Sequence, residues 1–475
     1  MKKILTGITL LSSALLYSAD FDLTLKSGSR TNLSEEGLFK TKTIPSFEDN
    51  LNIKPHSYTE NYSLYLDFPE NASESFGFNA LKLDVEGSLG IAIVANSGVF
   101  ELKGDFVKNA QTKEDKGRMV AKGENANTSF YPYYGDSSVS FKLNGNMRLV
   151  DMASNRTSAS YFGAYTTTGE FRNKSFFESF EISGDLELTN QKFAVATKDG
   201  KNTTIKGLVK FDNASPVRTG VLILNNDAMP EGKLLNQTTK VGGLVSTKPG
   251  TGIVSTSTDA KKYVDLKKGE VQDPKYPLGK KLVGDEVVRE GTIEIIGAGG
   301  EFSGEIRDNW LSKDKRGKVN LTMNSQSGKQ VLSGKLTYTG ATILKSGELV
   351  LSGDYPIGDL KVVGGTLSFL SDTLQVKDLT WSSGGFVFDF AKNKTIAVTG
   401  NMNVSVIPEA LDTFTFKNIT PRKAYTIFSF ENKKDALSTF VGKKLEYTDA
   451  TTNKVYNALF GTSDTALTVV FIPKQ

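Results

Sequence analysis

The side chains able to carry chemistry are few, and their types decide which reactions are open. The chain has no Cys and a single His, His56. Thiol nucleophiles, thiolate metal sites and disulfide frameworks are therefore excluded, and one imidazole cannot build a His-rich zinc site. A Ser-His-Asp triad would have to use His56 as its base, and the stretch that offers it a serine is Tyr134-Gly135-Asp136-Ser137-Ser138. A second chemistry is general acid–base cleavage of polysaccharides, which needs carboxylates with Arg or Lys on one face. Asp151, Asp185, Glu187 and Arg148 are its candidates, but each alternates with apolar residues, the ordinary pattern of the solvated side of a strand. Tyr131, Tyr133 and Tyr134 fall in an aromatic loop and are the candidates for contact with sugar or protein. The chain contains no phosphate-binding Gly-Lys-Ser/Thr loop, no dinucleotide fingerprint and no calcium-loop acidic series, so neither cofactor nor metal is expected.

The elements that would position these residues are strands. Beyond Phe21 no helical period is sustained, and apolar residues alternate with polar ones in short runs punctuated by Gly, Asn and Asp. One pattern recurs: apolar, any, apolar, any, Gly, any, apolar, any, apolar. It occupies Leu83 to Ile91 around Gly87, Phe141 to Leu149 around Gly145, Phe180 to Leu188 around Gly184, and Ile396 to Val404 around Gly400. A copy runs from Phe100 to Lys108 around Gly104 with Lys in its last apolar place, and a looser one surrounds Gly207. Steps between these glycines cluster near one or two multiples of about 20, the spacing of a coil and not of a domain. Gly347-Glu-Leu-Val-Leu, Gly365-Thr-Leu-Ser-Phe and Gly385-Phe-Val-Phe-Asp-Phe keep the same spacing with a different local motif.

A parallel β-helix has this period, because each turn stacks its strands ~4.8 Å above the last and alternate residues share one core. Its glycines would serve sharp bends needing positive φ, rows of Asn, Thr and Ser would bond between turns, and Phe386, Phe388 and Phe390 would face inward. The competing arrangement is a string of antiparallel hairpins or sandwiches with similar strand spacing. The expected architecture is all-β, an elongated coil with loop excursions and about 15 to 20 turns. Asn109 to Asp136 is expected to leave the coil, as is 241–291, rich in Gly, Thr, Ser and paired lysines. The segments are read as a leader at 1–19, an N-terminal cap or irregular β region at 20–79, a first coil region at 80–240, an excursion or linker at 241–291 and a second coil region at 292–475.

Composition sets the outer limits. Over 475 residues, 38% hydrophobic and 23% charged, the chain is neither disordered nor a multi-pass membrane protein, and a net charge of +4 does not supply the basic face that nucleic acid requires. Met1-Lys2-Lys3, an apolar run from Ile4 to Leu16 and Tyr17-Ser18-Ala19 have the three-part layout of a secretory signal. The run is shorter than the ~20 residues a bilayer span needs, so no transmembrane segment is expected in the mature chain.

Residues 330–370 carry a resemblance. They read Gln330-Val-Leu-Ser-Gly334, then Tyr338-Thr-Gly340, Gly347-Glu-Leu-Val-Leu-Ser-Gly353 and Gly365-Thr-Leu-Ser-Phe, preceded by Gly299-Gly-Glu-Phe-Ser-Gly304. This is similar to the β-strand repeat of bacterial autotransporter passenger domains. The resemblance implies export, a right-handed parallel β-helix (solenoid), few or no cysteines, and display at or release from the surface of a Gram-negative bacterium, with the periplasm as the fallback location. It departs from the family pattern where a C-terminal membrane barrel is expected, since the chain stops at Gln475. A separate outer-membrane translocator, a truncated gene or reuse of the repeat on another route would each account for that. Gly135-Asp136-Ser137 also resembles the nucleophile loop of chymotrypsin-like proteases, which some passengers carry. Ser138 stands where that loop has Gly, however, and Pro55-His56-Ser57-Tyr58 does not match the surroundings of the family's base, so a polar turn is the better reading. The function expected is that of an adhesin or interaction scaffold, binding a host or neighbour-cell surface protein or glycan. The alternatives are a carbohydrate-active β-helix enzyme (polysaccharide lyase or hydrolase) or a purely structural surface protein.

Overall fold

The computed structural model describes residues 19–474 apart from 26–29, 33–44, 46–47, 56–61, 69–74, 86–88, 111–126, 135–136, 152–157, 164–175, 199–200, 214–218, 225–236, 257–262, 266–270, 272–279, 283–288, 310–316, 393, 407–412 and 432–434. His56 and residues 1–18 of the expected leader at 1–19 lie outside these residues. Strands dominate the described residues and pair in parallel over most of their length, so the chain is a parallel β-helix and not a string of hairpins.

Each early coil has three faces. The first is built from Asp20–Leu25, Asn50–Pro55, Ala80–Val85, Phe106–Ala110, Met147–Asp151 and Leu186–Thr189. The second holds Ser75–Phe78, Ser97–Leu102, Ser138–Leu143 and Phe180–Ile182. The third is a separate ten-stranded sheet that includes Tyr62–Asp67, Leu89–Val94, Thr128–Pro132, Ser158–Phe162 and Gln191–Val195 and closes with Lys335–Leu336. In Thr203–Asp212 and in Gln237–Ser246 a single strand rounds the corner between the second and first faces, with a register shift between Ile205 and Leu208. The parallel ladder begins at Asp20–Leu25, which pairs with Asn50–Pro55 in continuous register.

Alternation places the apolar residues of each strand in one interior. On the first face Leu23, Ile53, Leu83, Lys108, Leu149, Leu188 and Phe211 succeed one another in register. On the second face Phe76, Phe100, Phe141 and Phe180 do the same, with Phe141 and Phe180 stacked at 4.7 Å. Burial of rings of this size is the main apolar contribution to the coil, and offset stacking adds to it. Phe386, Phe388 and Phe390 are buried as their alternation requires. Polar residues pair between turns: Asn79 donates to Asn50, Asn50 to Asp20, and Ser179 to Ser140.

The recurrent glycines have a different cause from the one their sequence pattern implies. Gly145, Gly184 and Gly207 are not among the positive-φ residues. They stack on one another: the Gly145 N–H donates to Gly104 O at 3.2 Å, Gly184 to Gly145 and Gly207 to Gly184, each at 3.1 Å. A Cβ on Gly184 would stand 2.6 Å from Gly145 O, so it is the approach of one coil to the next that excludes a side chain there. The residue after each glycine continues the column. Asp105 Oδ1 accepts from the Asn146 N–H at 2.7 Å, Asn146 Oδ1 from Asp185 N–H at 2.9 Å, and Asp185 Oδ1 from Leu208 N–H at 2.7 Å.

After Lys335–Leu336 the coils shorten to one long bent strand each: Thr342–Leu351, Ile357–Phe369 and Thr373–Asp389. The bends fall at Gly347, Gly365 and Gly384, with φ of 82°, 66° and 77°. Here positive φ is required, and a Cβ on Gly365 would also stand 2.5 Å from Gly347 O. The residues of the Tyr-Thr-Gly stretch have structural roles: Tyr338 is buried with its hydroxyl 2.6 Å from Thr342 Oγ1, and a Cβ on Gly340 would meet Val319 O at 2.0 Å.

Fourteen strand segments follow one another on the first face among the described residues, about 60 Å of stacking at ~4.8 Å each. That is fewer than the expected coils, because excursions lengthen the middle ones and because the chain does not end as coil. Ala424–Phe430, Lys444–Thr448, Val455–Thr462 and Ala466–Pro473 join antiparallel and close the C-terminal end. Asp449 ties this closure to the last coil, accepting from the Ile419 N–H at 3.0 Å and the Thr451 N–H at 2.8 Å. Within 241–291, Gln237–Ser246 and Ile253–Thr256 are part of the coil, while Tyr263–Asp265 and Lys280–Leu282 form an antiparallel pair of their own.

Candidate functional site

Two constellations stand out, one on the outside of the third face and one inside the coil. Outside, the strand Thr128–Pro132 alternates so that Thr128, Phe130 and Pro132 are buried while Ser129 and Tyr131 are half-buried. The chain then turns: the Ser137 N–H donates to Tyr134 O at 3.2 Å. Tyr133 packs edge-on against Tyr134 at 5.1 Å and against Tyr65, from Tyr62–Asp67, at 5.4 Å. Tyr134 is 42% exposed, and Tyr131, Tyr133 and Tyr65 are half-buried. The sequence reading named the first three of these tyrosines; Tyr65 was missed because two coils separate it from Tyr133 along the chain.

The candidate triad does not assemble among the described residues, since His56 and Asp136 lie outside them. Ser137 is 3% exposed and its hydroxyl is buried without a hydrogen-bond partner, which suits a buried turn residue rather than a nucleophile open to substrate.

The carboxylates considered for acid–base work separate into two environments. Asp185 and Glu187 point outward and are engaged by the coils on either side: Lys210 of the next reaches Asp185 at 2.7 Å and Glu187 at 3.6 Å, and Arg148 of the preceding one reaches Glu187 at 3.7 Å. Burial alone would raise the Asp185 carboxyl, but the Lys210 ammonium and the Leu208 N–H outweigh it and hold it below the usual range. The Asp185 bond in turn raises Lys210. Glu101, held by Lys142 and Asn144 at 2.7 Å each, is lowered too, against the burial that would raise it. A general acid needs the opposite shift, so this row is a ladder of ion pairs joining coils. Among the described residues no group of three or more His, Asp or Glu is placed to hold a metal ion. No helix of the described residues is long and apolar enough to cross a membrane.

Asp151 is not part of that outer row. In Met147–Asp151 the odd positions face inward, so Asp151 is fully buried at the corner between the first and third faces. Its carboxylate accepts from Ser158 Oγ and from the Ser158 N–H at 3.2 Å. Beside it, from the preceding coil, comes Lys108, also fully buried. Lys108 Nζ donates to Ala159 O at 3.1 Å, Ser160 Oγ at 3.0 Å and Gln191 Oε1 at 3.3 Å. Desolvation pushes the Lys108 ammonium down to about 7, with the Asp151 charge partly opposing it. The signal for this site was in the chain: Lys108 occupies the last apolar place of its repeat, and that place is a core position between Leu83 and Leu149.

Comparison with known proteins found no matching family, no matching curated protein and no matching solved structure.

Proposed function

We propose that the chain is an exported, passenger-type scaffold displayed at or released from the surface of a Gram-negative cell, where its outer side binds a protein or glycan of a host or neighbouring cell. The observation that carries this reading is the cluster of Tyr65, Tyr133 and Tyr134 held on the outside of a cysteine-free parallel coil. Tyrosines fixed in this way offer flat apolar faces with hydroxyls at their rims, a surface suited to sugar rings and to protein loops. The three-part leader and the passenger-like repeat at 330–370 support export.

Two measurements test it. Protease added to intact producing cells should degrade the chain, or the chain should appear in the medium; protection in the periplasm overturns surface display. Binding of the purified chain to cell-surface glycans and proteins should be saturable and fall at least tenfold for Tyr133→Ala combined with Tyr134→Ala. Saturable binding unchanged by that pair places the contact elsewhere, and release of sugar from acidic polysaccharides would favour the enzyme alternative.

A further inference from the structure

The buried corner around Lys108 holds the components of an amide-exchange reaction. A lysine rarely occupies a fully buried place in an aliphatic ladder, because removing its charge from water is costly unless partners replace the water. Here the partners are all neutral acceptors, and one is the carboxamide of Gln191. Gln191 is itself fully buried; Oε1 accepts from Lys108 Nζ and from Ser160 Oγ, both at 3.3 Å, while Nε2 has no hydrogen-bond partner. An orphaned amide nitrogen in an apolar interior is costly, and expelling it as ammonia removes that cost.

We propose that Lys108 and Gln191 join in an intramolecular isopeptide bond. The neutral Nζ adds to Cδ of Gln191, and the carbonyl electrons move onto Oε1, toward which the Ser160 hydroxyl is directed. The tetrahedral carbon then collapses, the Cδ–Nε2 bond breaks, and Nε2 leaves as ammonia carrying the proton that Nζ gives up. Ser160 Oγ lies 3.0 Å from Nζ and 3.3 Å from Oε1, so it relays the proton that Nζ gives up onto the oxyanion, from which the proton passes to Nε2 as the Cδ–Nε2 bond breaks. No electrons are exchanged with any other species. Lowering of the Lys108 ammonium to about 7 leaves a substantial neutral fraction at neutral pH, the form the addition requires.

The bond would link positions 83 residues apart, on the first and third faces of different coils. Closing such a loop restricts the unfolded chain as a disulfide does, in a protein without cysteine. The test is mass spectrometry of the purified mature chain. The intact mass should fall short of the sequence mass by one ammonia, and trypsin should yield a branched peptide joining Lys108 to Gln191, with no cleavage after Lys108. Lys108→Met and Gln191→Ala should each abolish both signatures. The full sequence mass with cleavage after Lys108 overturns the proposal, as does an ammonia loss that maps to any other residue. Both readings come from the wild-type chain, so a variant that does not fold leaves the decision intact.

Discussion

In the coils around Gly145 and Gly184, separate strands on three faces enclose stacked Phe rings, and each glycine is there because the coil beneath leaves no room for a Cβ. In the coils around Gly347 and Gly365, one strand per coil bends at a residue with positive φ and the third face is gone. Leu349, Leu367 and Phe386 succeed one another at 18 and 19 residues, whereas Asp105, Asn146, Asp185 and Leu208 are linked across 41, 39 and 23. Short coils have no residues left for excursions; long coils carry them on a turn column that stays in register. The three-faced region is therefore the one able to present loops, aromatic clusters and a buried polar corner, while the two-faced region tapers into the antiparallel closure.

Ring removal should break the comparison most strongly. Phe141→Ala and Trp381→Ala each empty a fully buried site and are expected to cost about 3–5 kcal/mol. Native-state hydrogen exchange should rise around the altered coils in each case, because a stacked repeat transmits loss mainly to its neighbours. Equal loss of protection over the whole chain would show that the two regions unfold as one.

The glycines give a sharper test. Gly184→Ala meets only the overpacking cost of about 1–3 kcal/mol. Gly365→Ala meets a similar crowding plus about 1–2 kcal/mol for the left-handed backbone, and should be the worse of the two in urea unfolding. Gly442, with φ of 72° and no atom within 4 Å of a Cβ, isolates the backbone term. There Gly442→Asn should be milder than Gly442→Ala. Equal effects at Gly184 and Gly365 would remove the distinction.

A pH series separates the buried corner from the rest. In Gln191→Ala the Lys108 amine stays free, and burial holds it down at about 7, against its ordinary value of 10.5. The unfolded chain then binds more protons between these values, so stability of the variant should rise with pH from about 7 to about 10.5. Adding Lys108→Met should flatten that rise, as should the isopeptide bond in the parent chain. A rise that persists after Lys108→Met would assign it to another group.

The smallest effects belong to the surface and to the closure. Lys210→Ala removes half-exposed ion pairs with Asp185 and Glu187, and should cost no more than about 1 kcal/mol and less at high salt. Tyr447→Phe removes a buried hydroxyl without a hydrogen-bond partner and should leave thermal stability unchanged or raised by about 1 kcal/mol.

Much of this was legible in the chain. The apolar-x-apolar-x-Gly pattern around Gly145 and Gly184 carries both the inward alternation and the coil period, because strand geometry and inter-coil spacing act on neighbouring residues. The alternation that follows Gly385 places Phe386, Phe388 and Phe390 in the core, and the Gly104 copy of the first pattern has Lys108 in an apolar place. The sequence could not say that Gly184 serves close approach and Gly365 positive φ, since both needs select the same residue. Nor could it separate Asp151 from Asp185, two acidic residues in similar strands whose sides are set by the phase of each strand at its corner.

The sequence by itself determined the class of fold, the absence of thiol chemistry and the positions of the core strands, all properties of composition and short-range periodicity. Only the tertiary structure decided that Tyr65 meets Tyr133 and that Lys108 meets Gln191, because residues distant along the chain become neighbours through the number of residues each coil consumes, and the excursions set that number.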